Sequence, residues 1–249
     1  MPLAATGMLL TSMDIDPADE ADFNRWYDRE HLQERVAIEG FVEARRYIAH
    51  ETFLRYRSIR VSVEGAVDDR WNVPQEPFPK YLSLYSTETF EVLDSPAYRT
   101  ALANQTEWSN TNIARFRNMI RAVARITISR GHGRGAALGI VRLRAAPGSE
   151  QKLRGELRDA LDPKQLDGVI SMHLIESDAA LSRPLTDHPS GSAAGAGDWF
   201  TLIDATDEKA VWAAVAACFA DGAPFHSQII SAGIYHLMWD LAQADLRLS

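Results

Sequence analysis

From Met8 to Ile15 the chain is a compact apolar run with Thr11 and Ser12 inside it, the pattern of a strand buried on both faces. Asp16-Pro17 then supplies a helix start, a capping carboxylate followed by proline at the first helical position. Asp19, Glu20 and Asp22 add negative charge to the first turn, where the helix dipole favours it. The spacing predicts a helix to about His31. At roughly 100° per residue, Phe23, Trp26, Tyr27, Glu30 and Glu34 share one face, with His31 at its edge. Beyond His31 the periodicity shifts, because Leu32 and Val36 point away from that face, so a bend or a second short helical segment is expected before Gly40. Phe41 to Glu51 reads as a second strand.

Thr52 to Pro79 is an irregular insertion whose alternating centre (Ile59, Val61, Val63) predicts a hairpin arm. Lys80 to Thr87 resumes a strand, with Tyr81, Ser83 and Tyr85 on one face and Leu82 and Leu84 on the other. A helix follows over Glu88 to Asn104, interrupted near Ser95-Pro96. Next come a short helix around Trp108 to Phe116 and a fourth strand from Asn118 to Ser129. The order is β-α-β-β-α-β, a ferredoxin-like unit, closed by a linker at Gly131, Gly133 and Gly135.

The second half repeats that order. A strand (Ala136 to Leu143) precedes a helix (Glu150 to Leu161) with Leu153, Leu157 and Leu161 in one stripe. The strand Gly168 to Glu176 leads to a Ser/Gly/Ala/Pro-rich loop of disordered look (Ser182 to Gly197), then to the strand Trp199 to Ile203. The helix Asp207 to Ala220 and the strand Gln228 to Trp239 complete it. One such unit leaves a sheet face bare. The predicted fold is therefore α+β, two tandem ferredoxin-like (βαββαβ) repeats packed sheet to sheet as a pseudo-dimeric α/β barrel. The first repeat covers 1–131, with the 52–79 insertion, and the second 132–249.

Composition adds limits. The 249 residues carry 34 acidic and 26 basic side chains, a net charge of −8, without a Lys/Arg cluster dense enough to suggest nucleic acid. Arg55, Arg57 and Arg60 read as a solvated strand face. The single cysteine, Cys218, excludes an internal disulfide and lies in an apolar stretch where it packs. The N-terminus lacks the pattern of a signal peptide, and no apolar run approaches the roughly 18 residues of a membrane span. A cytoplasmic protein without a membrane or nucleic-acid partner is expected.

Asn24-Arg25-Trp26-Tyr27-Asp28-Arg29-Glu30-His31-Leu32, then Gly40-Phe41 and Arg45-Arg46-Tyr47, resembles the dimeric α/β-barrel superfamily, in particular its EthD-like, stress-responsive-barrel branch. Ser95-Pro96-Ala97-Tyr98, Thr106-Glu107-Trp108 and Phe116-Arg117 resemble its longer two-repeat members. Gln33 stands where such proteins commonly carry proline. The resemblance implies a ligand between the sheet and the helices of one repeat. It spans muconolactone-type isomerases, cofactor-free monooxygenases, polyketide cyclases, haem-degrading enzymes and proteins without activity; fold alone does not choose.

A large aromatic face carrying two carboxylates and an imidazole predicts a helix that lines a pocket. His31 is the candidate base, since an imidazole both takes and gives a proton near neutrality. Glu30 is its candidate partner, and Tyr27 a hydrogen-bond donor to a substrate oxygen. The alternative is that His31 caps the helix end. Trp26 and Phe23 are expected as pocket wall or core. Arg46 and Tyr47 leave their strand on opposite faces, so only one reaches the pocket. Arg46 either holds a substrate carboxylate or pairs with Glu30 or Glu34. Tyr81, Tyr85, Trp108 and Arg121 complete the expected substrate contacts, with Asn118 a weaker candidate. The second repeat has leucines where the first has Trp26, Tyr27 and His31, which tells against a duplicated site. His173, His226 and His236 lack local ligand spacing, so neither metal nor another cofactor is expected, and Gly131-His132-Gly133-Arg134-Gly135 precedes a strand and reads as linker. The expected activity is cofactor-independent isomerisation, or a related proton transfer, on a small unsaturated or aromatic-derived carboxylate. The alternatives are a non-catalytic ligand-binding or stress-associated barrel and a cofactor-free monooxygenase, and the fold leaves room for a homodimer.

Overall fold

The computed structural model describes residues 5–49, 61–63, 66–68, 78–183, 194–219 and 222–247. In the first half the strands are β1 (Gly7–Asp14), β2 (Phe41–Ala49), the short pair β3 (Val61–Val63) and β4 (Ala66–Asp68), β5 (Tyr81–Thr87) and β6 (Arg117–Gly131). The second half contributes β7 (Ala137–Leu143), β8 (Val169–Ser177), β9 (Trp199–Ala205) and β10 (Ile229–Ala242). Eight of them close an antiparallel barrel in the order β1-β5-β2-β10-β7-β9-β8-β6. Taken by halves, this is β6-β1-β5-β2 beside β10-β7-β9-β8, the same fourth-first-third-second order twice. The two sheets join edge to edge through β2–β10 and β6–β8, which removes the open edges a lone sheet would expose. β3 and β4 pair as the hairpin expected in the insertion, most of which lies outside the described residues.

Strand alternation sorts the side chains into three layers. Met8, Leu10, Leu82, Leu84, Ala122, Leu138, Ile140, Phe200, Leu202 and Tyr235, drawn from both halves, fill the barrel. On the outer face of the second half, α5 (Glu150–Ala160) lays Leu153 and Leu157 against Met172 and Leu174. Beside it α6 (Glu208–Phe219) adds Val211, Val215 and Phe219. The outer face of the first half is covered by an opening helix, with α3 (Pro96–Ala103) and α4 (Glu107–Ala114) beside it. Ser95 and Thr106 cap these last two by accepting from Tyr98 and Ser109 N–H groups at 3.2 and 2.9 Å.

The opening helix departs from the expectation in an instructive way. It comprises α1 (Glu20–Trp26), a π turn (Tyr27–His31) and α2 (Leu32–Val36). Its buried positions are 23, 26, 27, 31, 32, 35 and 36. Remove one residue after Tyr27 and these become 23, 26, 27, 30, 31, 34 and 35, an unbroken amphipathic stripe. The π turn thus absorbs one extra residue, which is how such turns arise inside α-helices. The shift in periodicity is real: the π turn takes it up, and α2 is the short helical segment expected before Gly40. Beyond Tyr27 the stripe passes to His31, Leu32, Arg35 and Val36, and Glu30 and Glu34 rotate off it. Gly40 ends the segment with φ +84°, close to Val92.

Of the loop 182–197, residues 184–193 lie outside those described. The flanks that are described pack on β6: the Arg121 N–H donates to Ala194 O (3.0 Å) and the Val123 N–H to Ser182 Oγ (2.9 Å). Among the described residues no helix is long and apolar enough to cross a membrane.

Candidate functional site

The first half holds a buried aromatic layer between the opening helix and the outer face of β6-β1-β5-β2. Phe23 meets Tyr27 and Tyr81 at ring-centroid distances of 4.9 and 5.0 Å, and Trp26 meets Tyr27 at 4.9 Å. Arg46 rises from β2 into this layer, fully buried, its guanidinium 4.2 Å from the Tyr27 ring, 5.2 Å from Phe23 and 5.4 Å from Tyr81. Three aromatic faces around a desolvated cation offset part of its burial cost. The rest is met on the helix. Nη1 donates to Asp28 (2.9 Å) and Nη2 to Asn24 (2.6 Å), one turn apart, while Nε has no partner. The ion pair is therefore with Asp28 rather than the expected Glu30 or Glu34. Asn24 also donates to the Tyr81 hydroxyl (3.3 Å).

His31 sits in the same layer. Its ring lies 4.2 Å from Trp26, 5.0 Å from Tyr27 and 6.4 Å from Tyr85, with 9% exposure. It does not cap a helix end, because α2 continues beyond it. Its Nδ1 is buried without a hydrogen bond, as are Tyr85 OH and Thr11 Oγ1. The Tyr85 hydroxyl lies beside those of Tyr27 and Ser83 without a well-formed bond to either. Burial, reinforced by the charges of Arg35 and Arg46, holds His31 well below the usual imidazole range, so the ring is neutral. Burial pushes the Tyr85 phenol well above its ordinary value, so it stays a donor. Each buried polar atom left unmatched costs about 1–3 kcal/mol. The aromatic layer holds three such atoms, His31 Nδ1, Tyr85 OH and Thr11 Oγ1.

The expected partnership of Glu30 with His31 is not formed. Because the π turn rotates it away, Glu30 accepts from Thr106 (2.6 Å) and Ser109 (3.2 Å) and fastens α4 to the opening helix. Trp26 Nε1 donates to the same Ser109 (3.0 Å). Tyr27 OH points to Met13 Sδ (3.9 Å). Tyr47, expected as a substrate contact, faces the barrel interior, where its hydroxyl accepts from Arg45 (3.0 Å); strand alternation lets only Arg46 reach the layer. Trp108 lies under Arg25 (5.3 Å) and donates to Asp22 (3.2 Å) on the exposed flank of α1. Arg121 stands on the correct face but is spent on loop carbonyls, donating to Leu181 O (2.5 Å) and Arg183 O (3.4 Å). Asn118 bonds Asp14 (2.9 Å).

Several members of the layer come from places the sequence did not single out. Trp239 on β10 pairs in register with Arg46 on β2 and donates to Asp28 (2.9 Å). Leu181, from the loop after β8, packs on the same cluster. The second half thus closes the first half's layer on two sides. Asn24 and Asp28 carried a legible signal, a polar i, i+4 pair on the border of an aromatic stripe. Trp239 carried none, because its role depends on which strand edges of the two halves meet.

The equivalent layer of the second half is mostly aliphatic, with Trp199, Phe219 and Phe225 as its aromatic members. Inside the barrel His173 bridges Ser129 and Ser171, both at 3.0 Å, and burial together with Arg45 and Arg134 lowers it to about 3. Arg45 donates to Asp204 (3.1 Å) within the same buried network. His226 Nδ1 lies 3.3 Å from Phe219 O and His236 Nε2 lies 3.8 Å from Glu208. Among the described residues no three His, Cys, Asp or Glu side chains gather into a metal-binding group.

No protein-family model matches the chain, and no curated protein matches it either. Solved structures do. An anthrone oxidase-like protein superposes with a TM-score of 0.57 and 10% identity, over 96% of this chain and 94% of that one. A candidate monooxygenase from Fusobacterium nucleatum superposes with a TM-score of 0.51 and 7% identity, over 96% of this chain and 95% of the other. At such identities the likeness establishes architecture alone, an α+β fold with a closed antiparallel barrel.

Proposed function

We propose that the chain is a small-molecule enzyme whose site is the aromatic layer of the first half, and that it oxygenates an electron-rich hydroxylated aromatic compound without a cofactor of its own. The observation that carries this reading is the buried, neutral His31 with Nδ1 unpartnered beside the unpartnered hydroxyl of Tyr85. On this reading a planar ring is received where Trp26, Tyr27, His31 and Tyr85 pack, and these rings part to admit it. His31 Nδ1 takes the proton of an acidic ring hydroxyl or of the carbon beside a carbonyl, and Tyr85 O–H donates to the oxygen on which negative charge collects. The Arg46 cation nearby favours that anion. The deprotonated ring hands one electron to dioxygen; the ring radical and superoxide so formed combine at carbon, His31 returns its proton to the peroxide, and loss of water leaves a carbonyl.

His31 is a weak base here, since burial and two arginines oppose its protonation. That suits the proton of a phenol or an anthrone, far more acidic than the carbon proton a dienoate isomerase must remove, and it ranks oxygenation above isomerisation. The solved neighbours described as anthrone oxidase-like and as a candidate monooxygenase agree with this order. Trp26, Tyr27 and Tyr85 are at most 1% exposed, so the guest enters as side chains around the π turn give way. The test is oxygen uptake with 1,8-dihydroxyanthrone in an electrode cell, with a lactone and a dienoate followed by ultraviolet absorbance in parallel. Uptake that His31→Gln abolishes is expected, in a variant that circular dichroism shows still folded at the assay temperature. Turnover of the dienoate without oxygen uptake transfers the site to isomerisation, held by Arg46. Binding of the anthrone without either reaction reduces the layer to a binding site.

A further inference from the structure

At the junction of the halves, beside the paired ends of β6 and β8, lies a cleft of about 640 Å³. Ser129, Arg130, Gly131 and His132 form one wall, Asp162, Pro163 and Lys164 a second, and Val169 and Ile170 the third. None of its lining residues belongs to the aromatic layer. We propose that it binds a small organic oxyanion carrying at least two negative charges, a phosphate ester or a polycarboxylate.

The chain has 34 acidic residues against 26 basic ones, so a basic side chain has acidic neighbours by default. Most described arginines obey this, among them Arg45, Arg134, Arg142 and Arg154, which have carboxylate partners. Arg130 and Lys164 make no ion pair among the described residues, although they line one concavity from two separate segments. The one carboxylate in that concavity, Asp162, accepts from the Lys164 backbone N–H (3.1 Å) in a turn of its own. Two unmatched cations and the His132 imidazole around a concave site raise the local concentration of anions even on an acidic protein.

The floor is firm enough to hold such a ligand. Gly131 adopts φ +79°, and a Cβ there would come within 2.2 Å of Ile170 O, so only glycine fits and the β6 end is pressed onto β8. Ser129 is fixed from below by His173 (3.0 Å) and Ser171 by Gly133 O (2.9 Å). Val169, Ile170 and Pro163 give an organic body apolar surface, which free phosphate would leave unused.

Titration of the ¹⁵N-labelled protein with inorganic phosphate, glycerol 3-phosphate and citrate, at constant ionic strength, tests the site. Saturable shifts of the Gly131, His132, Lys164 and Ile170 amides are expected, tighter for the organic anions than for phosphate. Glycerol phosphate against citrate decides which oxyanion is preferred. The Arg130→Gln/Lys164→Gln variant should weaken binding at least tenfold with an unaltered melting temperature. Absence of saturation at those amides, or equal binding to the double variant, overturns the proposal. The aromatic layer lies elsewhere, so either outcome leaves the oxygen-uptake result untouched.

Discussion

Trp239 and Arg46 meet on a single oxygen: from opposite halves of the chain, both donate to Asp28 Oδ1 at 2.9 Å. The strand register that puts Trp239 opposite Arg46 makes the second half a structural part of the first half's layer. Asp28 is 44% exposed while Arg46 is fully buried, so solvent screens the pair on one side only. Asp28→Ala should cost about 2 kcal/mol, less than the loss of a fully buried partner because of that screening. Trp239→Phe, which keeps the packing and removes the donor, should cost about 1 kcal/mol. In urea unfolding the double variant should fall short of the sum by more than about 0.5 kcal/mol. Strict additivity would mean that the two donors do not communicate through Asp28.

Acid should weaken the fold through two histidines. An unfolded imidazole takes its proton near pH 6.5. Buried His31 does so only well below that, and His173 only at about 3. Between those limits the unfolded chain binds more protons, so stability falls as pH falls, by about 1.4 kcal/mol per pH unit for each fully depressed histidine. Asp204, whose carboxyl burial raises against the pull of Arg45, works in the opposite sense lower in the range. Comparing wild type with His31→Gln by urea unfolding at pH 7.5, 6.0 and 5.0 isolates the first histidine. The variant should be less stable at pH 7.5 and lose less on acidification; parallel losses would place the titration elsewhere.

Glu30 offers a sharper distinction. It ties the opening helix to α4 through Thr106 and Ser109 and does not touch His31. Glu30→Gln should therefore lower stability by about 1 kcal/mol and leave the His31 ring resonances and their titration in place. A displaced His31 titration curve would restore the acid–imidazole pair.

The barrel was legible because it rests on alternation. Tyr81, Ser83 and Tyr85 against Leu82 and Leu84 separate the layer from the lumen on sequence alone, and the repeated element order fixes which strands pair within each half. The buried face of the opening helix was legible as far as Tyr27. Beyond it a single uninterrupted helical period assigned Glu30 and Glu34 to the buried face, and the π turn gives that face to His31 and Arg35. Trp239 and Leu181 could not be read, because contacts between halves depend on strand register across edges that carry no local pattern.

The π turn is itself testable as an inserted residue. Leu32 and Val36 are buried because the turn adds one residue without rotating α2 off the core. Deleting exposed Arg29 should convert the turn to an ordinary α-helical one and keep Leu32 and Val36 in the core. The melting temperature should then stay within a few degrees of wild type, while the His31 ring moves and oxygen uptake is lost. Regular α5 has no residue to spare. Deleting Gly155, which sits in open space between buried Leu153 and Leu157, rotates one leucine off the core. That should cost about 2–5 kcal/mol, as a leucine truncation does. Equal damage from the two deletions, read by circular dichroism melts, would show that the opening helix needs all of its residues for its core and that the bulge is not an insertion.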